Sequence, residues 1–214
     1  MITKKQYLAN PCRQSSIPYW KTKNMMLPEG IIILHHDYFN ESKYYQYINE
    51  PYFRLFHSLE NLSPPQMPEG FVSCDITLKE YADHINSCYD DIGISESELY
   101  RYTMRPMYNA KLWIAVKDKQ SGTIVATGIA ELDREIDEGV LEWIQVSEEY
   151  RRCGLGFYLV SELLWRMRCL ASFATVSGQC NNATNPERLY RKCGFIGTDV
   201  WHVLRKRTAH LLTE

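Results

Sequence analysis

Arg151-Arg152-Cys153-Gly154-Leu155-Gly156 stands between a β-branched and aromatic run, Val140 to Val146, and an apolar-periodic stretch that begins at Phe157. This pattern places a glycine-bearing turn where a strand becomes a helix. The first backbone N–H groups of a helix have no partner inside it and carry the positive end of its dipole, so an anion can dock on bare backbone. Gly154 and Gly156 present no side chain to block that approach, and Arg151 and Arg152 add positive charge. The junction is suited to phosphate.

The rest of the chain bounds what such a junction serves. Its 214 residues suffice for one main domain with an extension. The formal net charge of −2 gives no argument for a nucleic-acid partner or an anionic membrane surface, so phosphate binding must be local. Seven cysteines, odd in number and without a C-x-x-C pair, read as reduced thiols of a cytoplasmic protein. No apolar leader follows Met1, and the longest aliphatic run, Ile31 to Leu34, is too short to span a bilayer. A soluble chain with no membrane contact is expected.

Residues 1 to about 30, broken by Pro11, Pro18 and Pro28, read as an ordered arm or a loose tail. Ile31 to Leu34 is a short strand, and the spacing from Tyr44 to Leu62 predicts a helix that restarts after Pro51. Ser63 to Gly70, with three prolines and a glycine, sustains neither period and marks a linker. The expected organisation is an N-terminal arm with a strand-helix extension over 1–70 and a core over 71–214.

In the core, Phe71 to Ile76 predicts a strand, and Thr77 with Glu80 a capping box opening a helix. Ser95 to Tyr108 predicts a second helix. Leu112 to Val116, Ile124 to Leu132 and Val140 to Val146 form an antiparallel meander turned at Ser121-Gly122 and Asp137-Glu138-Gly139. Leu155, Leu159, Leu163, Met167 and Leu170 give a helical stripe, with Glu162 and Arg166 paired on the wet side. Phe173 to Ser177 is the next strand. Asn185-Pro186 starts and Gly194 stops a two-turn helix, and Val200 to Leu204 is the last strand.

The common nucleotide motifs do not fit the turn. A Rossmann fingerprint needs glycine where Leu159 stands, and a P-loop needs Lys-Ser/Thr where Phe157-Tyr158 stands. What remains is Arg-x-x-Gly-x-Gly after a Val-ending strand, followed by a short helix ending Leu189-Tyr190-x-x-x-Gly194-Phe195. These two motifs together resemble the GNAT superfamily of acyl-CoA-dependent N-acetyltransferases, over about residues 71–207.

The resemblance implies an α+β fold, a twisted, mostly antiparallel sheet with helices on both faces, here with an N-terminal extension. It implies acetyl-CoA as co-substrate, no metal, and transfer to a small amine or peptide acceptor. Arg151, Arg152, Cys153, Gly154, Leu155 and Gly156 take the pyrophosphate-binding turn, and Ile144, Gln145 and Val146 offer main-chain groups to the pantetheine arm. Glu142 matches the general base and Tyr190 the general acid. A solvent-facing strand carboxylate and a core tyrosine are the plainer alternatives for those two. A bulge in this strand, common in the family, would change the face that Glu142 occupies.

The family's usual asparagine falls on Ala183 and its small residue on Pro186, so Asn182 or Asn185 is left to bond the pantetheine; Asn185 has a competing duty as helix cap. A binding module that keeps the acyl-CoA cleft without chemistry is the alternative function.

Other signals are weaker. His35-His36-Asp37 contains part of a metal triad, yet adjacent strand residues point to opposite faces and no third ligand has a signature. Cys153 in the turn reads as a small spectator, because the turn works through N–H groups. Tyr100, Tyr102, Met104 and Tyr108 lie where the family places its acceptor, and Asp90, Asp91, Glu96 and Glu98 make the neighbouring stretch acidic. Residues 1–70 either cover the acceptor side or build a homodimer contact.

Overall fold

A computed structural model describes residues 2–23, 26–89 and 93–207. The backbone divides into two compact units, one of Met1–Leu55, Ser177–Glu187 and Ile196–Glu214, the other of Phe56–Val176 and Arg188–Phe195. The described strands pair mostly antiparallel, as expected, with helices on both faces in the larger unit.

That unit is built on β3 (Phe71–Cys74), β4 (Trp113–Asp118), β5 (Ile124–Asp133), β6 (Glu138–Val146) and the first residues of β7 (Phe173–Gln179). Their order is β7-β6-β5-β4-β3. The neighbours from β3 to β6 run antiparallel, and β6 and β7 run parallel. Local chemistry makes the turns. Asp118 accepts hydrogen bonds from the Gln120 and Ser121 amides at 3.0 and 2.7 Å, and Gly122 adopts φ +72 between β4 and β5. Asp137, at φ +53, turns β5 into β6.

Helices cover both faces of this sheet. Thr127 and Gly128 are adjacent on β5 and so face opposite ways. Thr127 meets His84 of α4 (Leu78–Ser87) at 2.9 Å, whereas a Cβ on Gly128 would lie 3.2 Å from Leu163 of α6 (Leu155–Met167). α4 begins in the capping box of Thr77 with Glu80, and α5 (Glu96–Thr103) in that of Ser95 with Glu98. Tyr81, Ala82 and Ile85 of α4 bury with Leu99 of α5 against Ala115 and Ile129. On the other face Leu155, Leu159, Leu163 and Met167 are buried, each worth roughly 1.5–3 kcal/mol of transfer free energy. Arg166 Nε and Glu162 Oε1 pair at 2.6 Å, as their spacing predicts.

The smaller unit holds α1 (Lys4–Ala9), α2 (Pro11–Gln14) and α3 (Tyr19–Thr22), so the described part of the N-terminal arm is largely helical. Its strands are β1 (Ile31–His35), β2 (Tyr47–His57, mostly in this unit) and β8 (Ile196–Lys206), in the order β1-β8-β2. The helix expected over Tyr44 to Leu62 is a correction: Tyr47–His57 is one strand. Pro51 lacks only a donor, and its carbonyl still accepts the Cys180 N–H at 2.9 Å. Phe53, Arg54 and Leu55 are all buried, and Arg54 reaches the Tyr7 hydroxyl at 2.7 Å and Ser177 Oγ at 3.1 Å. A strand buried on both faces loses the alternation that would have separated it from a helix.

The histidine pair belongs to this unit and diverges as adjacent strand-end residues do. His35 Nε2 bonds Asp199 at 3.0 Å, while His36 Nδ1 meets His202 Nε2 at 3.0 Å. Among the described residues, no group of three or more His, Cys, Asp or Glu is placed to hold a metal ion. No described helix is long and apolar enough to cross a membrane.

Candidate functional site

The site grows from an irregularity in β6. Its register against β5 steps from Ala130↔Leu141 to Ile129↔Trp143, which leaves Glu142 as the extra residue of a β-bulge. A bulge bends its strand and increases the local twist. The parallel pairing with β7 ends at the same point, with Leu141↔Val176 its last pair, although β6 runs on to Val146. Beyond the bulge β6 keeps its pairing with β5, and its pairing with β7 does not continue. The edge that opens spans Glu142, Trp143, Ile144, Gln145 and Val146.

At the far end of that strand lies the glycine turn. Arg152 at φ +67 and Gly154 at φ +83 reverse the chain into α6. Gly154 is the N-cap and supplies no side-chain bond, and the first bond of the helix runs from the Tyr158 N–H to the Gly154 carbonyl at 3.0 Å. The amides of Gly154, Leu155, Gly156 and Phe157 lie ahead of that ladder, at the positive end of a thirteen-residue helix. Arg152, Cys153 and Gly154 are exposed, Leu155 is buried, and Arg151 lies 3.5 Å from Glu148. Gly156 has a second duty. A Cβ there would sit 3.1 Å from Leu189 Cδ2, so its bareness lets α7 (Pro186–Lys192) close against the first turn of α6.

α7 carries Tyr190, which is 7% exposed. Burial is the main cause that pushes its phenol pKa above the usual value, and the neighbouring Tyr89 phenol pushes the same way. Tyr89 packs edge-on against Trp143 at 6.0 Å, next to the bulge, and feels the charge of Arg151. Tyr190, the bulged strand and the glycine turn therefore belong to one neighbourhood.

The structure adds a group that carries no local mark in the chain. His84, buried on α4, places Nδ1 2.9 Å from Thr127 Oγ1 and Nε2 3.0 Å from Ser147 Oγ. Gln145 Nε2 donates to the same Thr127 hydroxyl. His84 thus braces both the open stretch of β6 and its exit, where the Ser147 N–H reaches the Val125 carbonyl at 2.9 Å. Desolvation lowers its pKa, so it is a neutral ring between two hydroxyls. Gln145, expected to serve through its main chain, also has this buried side-chain role.

Asn182 and Asn185 belong to the smaller unit. Asn182 Oδ1 accepts from the Thr184 N–H at 2.8 Å and its hydroxyl at 2.6 Å, and Asn185 stands at φ +48 before α7. On the α5 side, Tyr100 and Met104 are exposed, and Arg105 lies over the Tyr102 ring while bonding Glu131 at 2.7 Å. Asp90 and Asp91, part of the expected acidic stretch, lie outside the described residues.

A family model described as "Acetyltransferase (GNAT) domain" matches residues 108–196, which include the bulge, the glycine turn and Tyr190. Residues 108–196 are thus similar to a GNAT acetyltransferase domain. Its structure resembles a GCN5-related N-acetyltransferase from Sphaerobacter thermophilus, with a TM-score of 0.64 and 20% identity over 78% of this chain and 54% of that one. It also resembles a functionally unknown conserved protein from Staphylococcus epidermidis, with a TM-score of 0.56 and 12% identity over 97% of this chain and 82% of that one. A GCN5-related N-acetyltransferase from Kribbella flavida gives 0.51 and 17% over 85% and 62%. The chain spans about half the length of the Sphaerobacter protein and of a Drosophila protein of the same fold. At these identities the likeness is one of fold. No curated protein matches the chain at a significant level.

The bare helix terminus fits an anion. The Gly154 φ of +83 is one that L side chains rarely adopt, and the exposed turn presents its amides and Arg152 to an anion, with Arg151 beside Glu148.

Proposed function

We propose that the protein is an N-acetyltransferase that moves an acetyl or other short acyl group from its coenzyme A thioester to a primary amine, by direct attack in a ternary complex. The observation that carries this reading is the end of the β6–β7 pairing at the Glu142 bulge, with a bare helix terminus at the end of the same strand. When bound, the coenzyme supplies an activated acyl carbon and a thiolate leaving group.

The chain's own residues supply the rest. The amides of the turn, with Arg151 and Arg152, hold the pyrophosphate; Cys153 serves through its backbone. The open edge from Ile144 to Val146 pairs with the pantetheine amides as it would with a strand. An alkyl amine with a pKa near ~10.4 is mostly protonated at neutral pH, so Glu142, directly or through a water, takes its proton before attack. Tyr190 gives a proton to the departing sulfur, and burial keeps its phenol neutral until then. The scheme calls for no metal and suits the cytoplasm. Its acceptor, a small amine or a peptide, is selected on the α4 and α5 side.

The test is release of free thiol from acetyl-CoA across a panel of polyamines, amino acids, amino sugars and peptide N-termini. Amine-dependent release that collapses in Tyr190→Phe supports the proposal. Tight acetyl-CoA binding with no release for any amine would make the domain a binding module instead.

A further inference from the structure

The end of α7 is closed by an arrangement that the catalytic scheme does not use. The Phe195 N–H bonds the Tyr190 carbonyl at 3.1 Å and the Gly194 N–H bonds the Arg191 carbonyl at 3.1 Å, a Schellman closure with Gly194 at φ +94. Tyr190 is the residue whose carbonyl receives the bond that spans more of the chain. Its ring also packs edge-on against Phe195 at 5.7 Å, the apolar contact that accompanies such a closure. The Cys193 carbonyl comes just before the left-handed glycine.

His57, at the end of β2 and 6% exposed, takes that carbonyl. Its Nδ1 accepts the Leu59 N–H at 2.8 Å, so the bond to the Cys193 carbonyl falls to Nε2. One ring nitrogen accepts and the other donates, which permits a single neutral tautomer. The ring packs edge-on against Phe195 at 5.2 Å, and a Cβ on residue 194 would approach Nε2 to 2.8 Å. His57, Phe195 and Tyr190 thus stand in one contact line, with the helix terminus bonded to the first of them.

We infer that His57 is a positioning residue for Tyr190, acting through the C-terminal closure of α7 and never touching substrate. The inference rests on the transferase reading above, in which Tyr190 is the general acid. A phenol that must meet the sulfur within hydrogen-bond reach tolerates little drift, and a misplacement of about 1 Å costs on the order of a hundredfold in rate. Coenzyme binding, which uses β6 and the glycine turn, does not pass through this contact.

The experiment compares His57→Phe, which keeps a ring against Phe195 and loses both hydrogen bonds, with His57→Gln, whose amide can still donate to the Cys193 carbonyl. The expected result is a kcat lowered between about tenfold and a hundredfold in the Phe variant, with KM for acetyl-CoA within about twofold, and substantial recovery in the Gln variant. In a Tyr190→Phe background His57→Phe should cost nothing further. An equal loss in that background, a changed KM with unchanged kcat, or equal loss in both variants overturns the inference. If the Phe variant does not fold, His57→Asn, too short to reach the carbonyl, replaces it. If the wild type acetylates no amine, the transferase reading fails by itself. The inference is then read from tyrosine ring resonances, where His57→Phe must shift Tyr190 and leave Tyr81 in place, and no shift overturns it.

Discussion

Tyr190 and Glu142 occupy the two kinds of place where an acid and a base can be held, one buried on a helix and one extruded from a strand. Replacing Tyr190 by Phe should leave acetyl-CoA affinity unchanged and lower kcat about a hundredfold or more, as removal of a positioned general acid does; stopped assays with calorimetry check both halves. Glu142→Gln should lower kcat/KM at pH 7 and lose less as the pH approaches the ordinary amine value near ~10, because a free amine needs no base. A pH profile parallel to that of the wild type would remove Glu142 from the mechanism. At Gly154 the φ of +83 makes any side chain costly, about 1–2 kcal/mol for the backbone alone, before a Cβ meets Pro68 Cγ at 3.4 Å. Gly154→Val should therefore weaken both the fold and the coenzyme site, separable by urea melting and by titration.

At the scale of elements, the signals written locally in the chain survive folding. Thr77 with Glu80 and Pro186 with Gly194 bound helices where their chemistry says, whereas the helix expected over Ser95 to Tyr108 ends at Thr103. Thr77→Ala should cost about 1 kcal/mol in a urea melt. The glycine turn and its flanking strand and helix were equally legible, because each rests on contiguous residues. β2 was not. A strand buried on both faces around Phe53, Arg54 and Leu55 spaces its apolar residues as a broken helix would, and Pro51 strengthened the wrong choice. The Glu142 bulge has no sequence mark, since it is defined by the register with β5. His84 escaped for a related reason: Thr127 and Ser147 lie 43 and 63 residues away, and nothing on α4 announces a meeting with them.

For the molecule as a whole, three histidines, His57 and His84 in the larger unit and His202 in the smaller, have pKa values lowered mainly by burial. In the pH window from the ordinary value of 6.5 downward, the unfolded chain binds protons that the folded chain refuses. The contribution of these groups is present above that value and lost as the pH falls through their folded pKa values. Urea midpoints should therefore decline from pH 7 to about pH 5, and less steeply in His57→Phe. A flat profile would mean that the three rings titrate in the fold as they do in the unfolded chain. All of the proposed chemistry depends on one arrangement, a strand whose parallel pairing ends at a bulge and which runs on into a bare helix terminus. Isothermal titration with acetyl-CoA tests that arrangement directly. Saturable one-to-one binding in the wild type that disappears in Gly154→Val is predicted, and a wild-type protein that ignores acetyl-CoA would contradict the account.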